Sequence, residues 1–121
     1  MREVTERTKM TKVEAIVQPH RWEEVKNSLI ELAIAGMTIW EVRGHGRQKG
    51  HTENFRGREY TVDLRPKIKI EMVVRDEGVD AGVDAITKAA ATGQIGDGKI
   101  FLSPITESIR IRSQERGIAA L

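Results

Sequence analysis

The 121-residue sequence has no cysteine, so it can form neither disulfides nor thiolate metal sites. It also has no apolar run long enough to span a bilayer and no signal-peptide core, which gives cytoplasmic as the default localisation. A large excess of one charge sign is missing too. Twenty basic residues stand against 18 acidic ones, a net of +2, unlike the one-sided basic field of a dedicated nucleic-acid binder. Aromatic residues make up only 4%. Apolar residues make up 39%, enough for a modest single-domain core but lean for this length. Small domains bury a limited fraction of their surface, so a subunit interface would help.

What is present alternates between strand and helix patterns. Residues 1–11 are polar and lack periodicity, and read as a mobile N-terminal extension. Residues 12–18 alternate Val13, Ala15 and Val17 with Lys12, Glu14 and Ile16, as a strand does. Pro19 stops it. Residues 20–36 place Trp22, Val25, Leu29 and Leu32 at helical spacing, with Gly36 as the stop. Residues 37–43 are a β-branched and aromatic strand. In 65–74, Ile68, Ile70, Met72 and Val74 share one face, and Lys67, Lys69, Glu71 and Val73 the other. Residues 76–93 predict a helix with Asp76 as its N-cap, a stripe of Val79, Val83, Ile86 and Ala90, and Gly93 at its end. Two short strands follow at 99–103 and 108–112, then a tail, 114–121. The fold class is α+β: a ferredoxin-like β-α-β-β-α-β order with an antiparallel sheet and both helices on one face. The other face needs a cover, and another subunit would supply it.

Between the second and third strands lies GHGRQKGHTENFRGREYTVD, residues 44–63, with four glycines and almost nothing apolar. Connections of this length without structure of their own are uncommon in compact domains and are usually functional or disordered. His45 and His51 have no cysteines and no helix to set a metal-ligand spacing. Phe55 and Tyr60 are aromatics in a basic loop, suited to a protein partner or to single-stranded nucleic acid.

Gly93, Gly98 and Lys99 satisfy G-x-x-x-x-G-K, but Ile100 stands where a P-loop needs Ser or Thr. The order is also helix-loop-strand rather than strand-loop-helix, which rejects the P-loop fold. Two readings stay open: an anion nest of backbone donors with Lys99 as a point charge, or a helix cap at Gly93 followed by a tight turn at Gly96 and Gly98. Arg110 and Arg112, placed on one face of a strand, favour the anion, because two adjacent guanidinium groups repel unless an anion joins them. Lys67 and Glu71, on one face, read as an ion pair of little consequence.

Together, GMT (36–38), GRQKGHTE (46–53), RGREY (56–60), PKIKIE (66–71), TGQIGDGKIF (92–101) and IRIR (109–112) resemble, in order and spacing, the PII signal-transduction family. The resemblance runs from 12 to 113 and implies a homotrimer that binds ATP or ADP between subunits and, with magnesium, 2-oxoglutarate. It implies a regulator rather than an enzyme, whose long T-loop, about 43–65, docks on an ammonium channel, nitrogen-metabolism enzymes or a nucleotidylyltransferase. Membrane contact would then be indirect, through the channel, and no nucleic acid is expected.

Carried over by position, the nucleotide site would use Gly36, Met37, Thr38, Gly46, Arg47, Gln48, Glu71, Val73, Gly96, Asp97, Gly98, Lys99, Arg110 and Arg112. Gln48 and Lys67 match the 2-oxoglutarate positions, with Gln48 also toward magnesium. Tyr60 matches a tyrosine that is modified in many members, and Arg56 the loop-tip residue that enters a channel. The sequence departs from the family at Phe55, where many members have tyrosine, at Arg58, where some cyanobacterial members have a phosphorylated serine, and at Gln94, which replaces a common lysine. Two other readings are an RNA-binding ferredoxin-like module and a weak ATPase. Phe101 is the only aromatic in the last two expected strands, which leaves no stacking pair for RNA. The ATPase has no evident base or nucleophile.

Overall fold

A computed structural model describes residues 9–34, 36–45, 52–55, 58–61 and 64–121. Its strands and helices are β1 (Met10–Val17), α1 (Trp22–Glu31), β2 (Met37–His45), β3 (Thr52–Phe55), β4 (Arg58–Thr61), β5 (Leu64–Arg75), α2 (Val79–Ala90) and β6 (Gly98–Pro104). The main sheet has the order β2-β5-β1-β6, with every neighbouring pair antiparallel. This is the ferredoxin-like α+β architecture expected from the sequence. The long connection holds a small hairpin of its own, β3 paired with β4, in which Tyr60 sits opposite Glu53.

Alternation along the central strand places the core. Val13, Ala15 and Val17 of β1 are all buried, beside Ile70 and Met72 of β5. The helices close this face with Val25 and Leu29 from α1 and Ile86, Ala89 and Ala90 from α2. Each fully buried aliphatic side chain of this size contributes about 1.5–3 kcal/mol. Gly82 lets α2 come close, since a Cβ there would stand 3.3 Å from the Met72 methyl. The opposite face of the sheet carries Lys12, Glu14 and Ile16 from β1. Trp40 of β2 and Phe101 of β6 lie on the same open face, and both are exposed. On it the Lys69 ammonium sits 4.9 Å from the centre of the Trp40 ring and 3.8 Å from Glu14.

Several boundaries differ from the sequence expectation. β1 takes in Met10 and Thr11, assigned above to the extension, because Met10 is fully buried and the Thr11 hydroxyl donates to Asp76 at 2.6 Å. Asp76 does not stand at an N-cap position, which falls to Arg75 for the turn and to Gly78 for α2. It opens a short 3-10 turn, Asp76–Gly78, ahead of α2. α1 ends at Glu31 rather than at Gly36, and Ala33 (φ +62°) takes the left-handed position after it. Apolar spacing that continues to Leu32 marked the helix as longer than it is.

The largest correction concerns 108–112, which is not a strand. After Pro104 the chain folds back on its own tail. Ile109 forms an isolated bridge with Arg116, and the Arg110 amide donates to the Glu115 carbonyl at 2.9 Å. Alternation alone does not make a strand when no sheet edge receives it. The tail ends in a 3-10 turn, Gly117–Ala120.

Candidate functional site

Antiparallel pairing brings four strand ends to one end of the sheet. The last residues of β1 and β2 meet the first residues of β5 and β6 there. Over them lies the turn that joins α2 to β6. Between turn and sheet is a cleft of about 990 Å³, lined in part by His45, Arg65, Lys67, Gly96, Asp97 and Lys99.

The turn has the backbone that its glycines permit. Gly93, Gly96 and Gly98 take φ of +82°, +99° and +116°, values that a side chain disfavours. Asp97 holds the turn in shape. Its carboxylate accepts from the amides of Thr92 at 2.7 Å and Gly93 at 3.0 Å, and from the Thr92 hydroxyl. These donors favour the ionised form, the Thr92 hydroxyl most, and hold the Asp97 carboxyl below the ordinary 3.8. The contribution of the clasp is therefore present above the ordinary value and fades as pH falls through the lowered one. The amide shifts of Thr92 and Gly93 are expected to titrate together in acid, below the ordinary carboxylate range, and Asp97→Asn should abolish that titration. Shifts that move at or above the ordinary value would disprove the clasp.

Lys67 crosses beneath this turn. It is 8% exposed, and its ammonium donates to the Gly96 carbonyl at 2.8 Å. Burial, and then the positive charge of Arg65, hold its pKa below the ordinary lysine value, while Asp97 opposes them. The expected pair with Glu71 does not arise. Four residues of extended strand separate the two by about 13 Å, and Glu71 faces Thr38 on one side and Glu14 on the other.

The candidate residues fall into groups. Lys67, Gly96, Asp97, Gly98 and Lys99 meet at the cleft. Gly36 precedes β2, and Met37 and Thr38 open it, paired with Met72 and Glu71 in the later part of β5 that also carries Val73. Lys67 and Val73 are six residues apart on one strand, about 20 Å, so this second group lies toward the far end of the sheet. Arg110 and Arg112 do not share a strand face. Arg112 sits in a turn, and the Arg110 guanidinium donates to the Leu121 carbonyl at 2.9 Å and lies 3.4 Å from Glu115. Gly46, Arg47, Gln48 and Arg56 lie outside the described residues. His45 and Arg65 were not among the sequence candidates, yet both line the cleft. The signal for Arg65 was present, since it stands two residues before Lys67 on the same face of an alternating strand.

Comparison with known proteins gives a consistent result. The sequence model of the family described as Nitrogen regulatory protein P-II matches residues 10–115. The chain is 54% identical over 112 residues to the Nitrogen regulatory protein P-II of Bradyrhizobium diazoefficiens, covering 93% of this chain and 100% of that protein. It is 57% identical over 108 residues to the one from Rhodobacter capsulatus, covering 89% and 96%. Among solved structures it resembles Arabidopsis thaliana PII bound to citrate, with a TM-score of 0.76, 38% identity, and 93% and 92% of the two chains covered. The sequence motifs, the sheet order and these likenesses agree: the chain belongs to the P-II family of nitrogen regulatory, signal-transducing proteins.

Proposed function

We propose that this protein is a homotrimeric regulator that senses ATP or ADP and 2-oxoglutarate and controls nitrogen-assimilation proteins through its long loop, without catalysing a reaction. The observation that carries this reading is the position of the cleft. Gly44 and His45 at the end of β2, and Arg65 at the start of β5, all line it. A ligand bound there touches both roots of the connection that runs from 46 to 63. Differential contact of that kind can shift the loop between docking shapes.

The residues of the cleft fit an anionic ligand. Lys67, Lys99 and Arg65 are cationic, and the glycine turn allows close approach of phosphate to backbone. Gln48 is the proposed magnesium ligand and joins Lys67 on 2-oxoglutarate. The citrate bound to the Arabidopsis thaliana protein supports a carboxylate effector here. Glu71, Val73 and the residues of β2 beside them lie too far along the sheet to join the cleft of their own chain, which supports a nucleotide site completed by an adjacent copy. Arg110 and Arg112 would reach such a copy. The open sheet face, with Trp40 and Phe101 exposed, is the surface that trimerisation would cover. Arg56 is proposed to dock on a channel, and Tyr60 to be a site of modification.

Titration calorimetry with ATP, ADP and 2-oxoglutarate, beside light scattering, tests this. Three 13.6 kDa chains per particle are expected. Either Arg110→Ala or Arg112→Ala should weaken ATP roughly tenfold or more, since losing a charge-assisted contact costs about 1.5–3 kcal/mol. A monomer at micromolar concentration, or ATP affinity unchanged in both variants, would overturn the trimer or the arginine assignment respectively.

A further inference from the structure

The glycine turn of the cleft, 91–97, has two roots, and one short segment touches both. β1 ends at Val17, which pairs with Gly98 at the exit of the turn. The chain then bends through Pro19–Arg21, closed by the Arg21 amide on the Gln18 carbonyl at 3.0 Å. From there the Arg21 side chain reaches α2, where its Nε–H donates to the Ala89 carbonyl at 2.9 Å. Ala89 lies in the last turn of that helix, two residues before the chain leaves in extended form at Ala91. Residues 17–21 therefore bridge the exit of the glycine turn and its entry.

α2 has little of its own with which to fix that entry. Residues 89–91 are alanines and carry no polar side-chain atom. Lys88, the basic residue of the last turn, folds back on Asp84 at 2.9 Å and stays exposed. The last carbonyls of a helix lack partners within it and carry partial negative charge that a cation complements. Arg21 meets both needs from outside the helix. Its side chain is only 24% exposed, and a second nitrogen of the same fork donates to Glu24 at 2.6 Å. A planar guanidinium held at two points is rigid, whereas an ammonium on a flexible stem fixes no such geometry. Past Ala89, the next held point is Thr92, whose amide donates to Asp97 inside the turn. Only Ala90 and Ala91 lie between, so a shift of the helix end passes directly to the groups that shape the turn.

We propose that Arg21 is a positioning residue for the glycine turn: by fixing the Ala89 end of α2 against the end of β1, it sets the shape in which residues 92–98 meet a nucleoside polyphosphate. The inference rests on the reading of the cleft as a nucleotide site. Arg21 is not among the residues that line the cleft, so its effect on binding runs through the turn.

The test compares wild type, Arg21→Gln, Arg21→Lys and Glu24→Gln. Each is titrated with ATP by calorimetry, and its backbone amide spectrum is recorded without ligand. Asp97→Asn supplies the reference spectrum for a weakened clasp. Arg21→Gln should weaken ATP by about fivefold, the order expected for one lost hydrogen bond. It should also move the Thr92 and Gly93 amide signals toward their Asp97→Asn positions while those of β2 stay in place. Arg21→Lys should recover part of both effects. Glu24→Gln keeps the guanidinium and its packing, should give a smaller change in the same direction, and guards against a folding defect in the first variant. If Arg21→Gln only lowers the melting temperature, with ATP affinity and both amide signals unmoved, Arg21 is a helix cap and nothing more. The proposal is then wrong and the nucleotide site stands. If ATP weakens while both signals stay in place, Arg21 acts by another route, and the proposal is equally wrong. If the wild type takes no ATP, the nucleotide site and the proposal fail together.

Discussion

Gly98→Ala is expected to be the most damaging single methyl group in this domain. Gly98 begins β6, pairs with Val17 and has φ of +116°. A Cβ there would stand 1.8 Å from the Ile16 carbonyl oxygen and 2.9 Å from its carbon. The obstacle is backbone in the central strand, so no side chain can rotate out of the way. Either β6 separates from β1 at its first rung or the turn changes its path. A residue forced into an unfavourable φ/ψ region costs about 1–3 kcal/mol by itself, and the lost strand contacts add to it. A total near 3 kcal/mol would lower the melting temperature by more than about 10 °C. Because Lys67 is held by Gly96, two residues before the clash, ligand binding should fall with stability. A variant that melts within about 3 °C of wild type and still binds ligand would show that the turn adapts freely.

Lys67→Met is expected to move stability and binding in opposite directions. The ammonium is nearly buried, and its pKa is held down chiefly by that burial. Methionine has similar reach, needs no solvation and is not repelled by Arg65. The ligand-free variant should therefore be as stable as wild type, or more so, near neutral pH. Binding should suffer. Removing the buried cation that faces an anionic ligand costs about 2–3 kcal/mol, or roughly 30- to 150-fold in 2-oxoglutarate affinity. The pH dependence separates this from a packing effect. The folded-state pKa lies below 10.5, so at alkaline pH the unfolded chain holds this proton more firmly than the folded one. The penalty is therefore fully present at neutral pH and shrinks as pH rises through the lowered value toward 10.5. Wild type should gain stability over that window relative to Lys67→Met. A parallel pH profile for the two proteins would remove the buried charge as the cause.

Strand faces were legible because burial follows a two-residue period. Val13, Ala15, Val17, Ile70 and Met72 all point where alternation put them. Helix ends were less legible. Leu32 continues the apolar spacing of α1 but comes after its last turn, so periodicity overran the helix. The segment 108–112 failed for a different reason. Its alternation is real, but pairing depends on a neighbour, and the partner here is the tail rather than a sheet edge. At the site, the glycines and Lys99 carried a local signal. The contact between Lys67 and Gly96 did not, because it joins residues 29 positions apart and exists only once β5 and the turn share one end of the sheet. The family resemblance selected positions without saying which belong to one chain's cleft. The 20 Å spacing along β5 supplied that division.

The sheet order also says something about how the protein comes into being. β1 is flanked on both sides, by β5 and by β6. Its first rung joins Met10 to Arg75, and its other edge joins Val17 to Gly98. During synthesis the most apolar strand of the core therefore leaves the ribosome long before either neighbour exists. Such distant pairings give a high contact order, and domains of this kind fold more slowly than helical bundles of equal size. Until residue 75 has emerged, the nascent chain offers an unpaired, aggregation-prone edge. The charged residues that alternate along β1, Lys12 and Glu14, are well placed to keep that edge solvated while it waits.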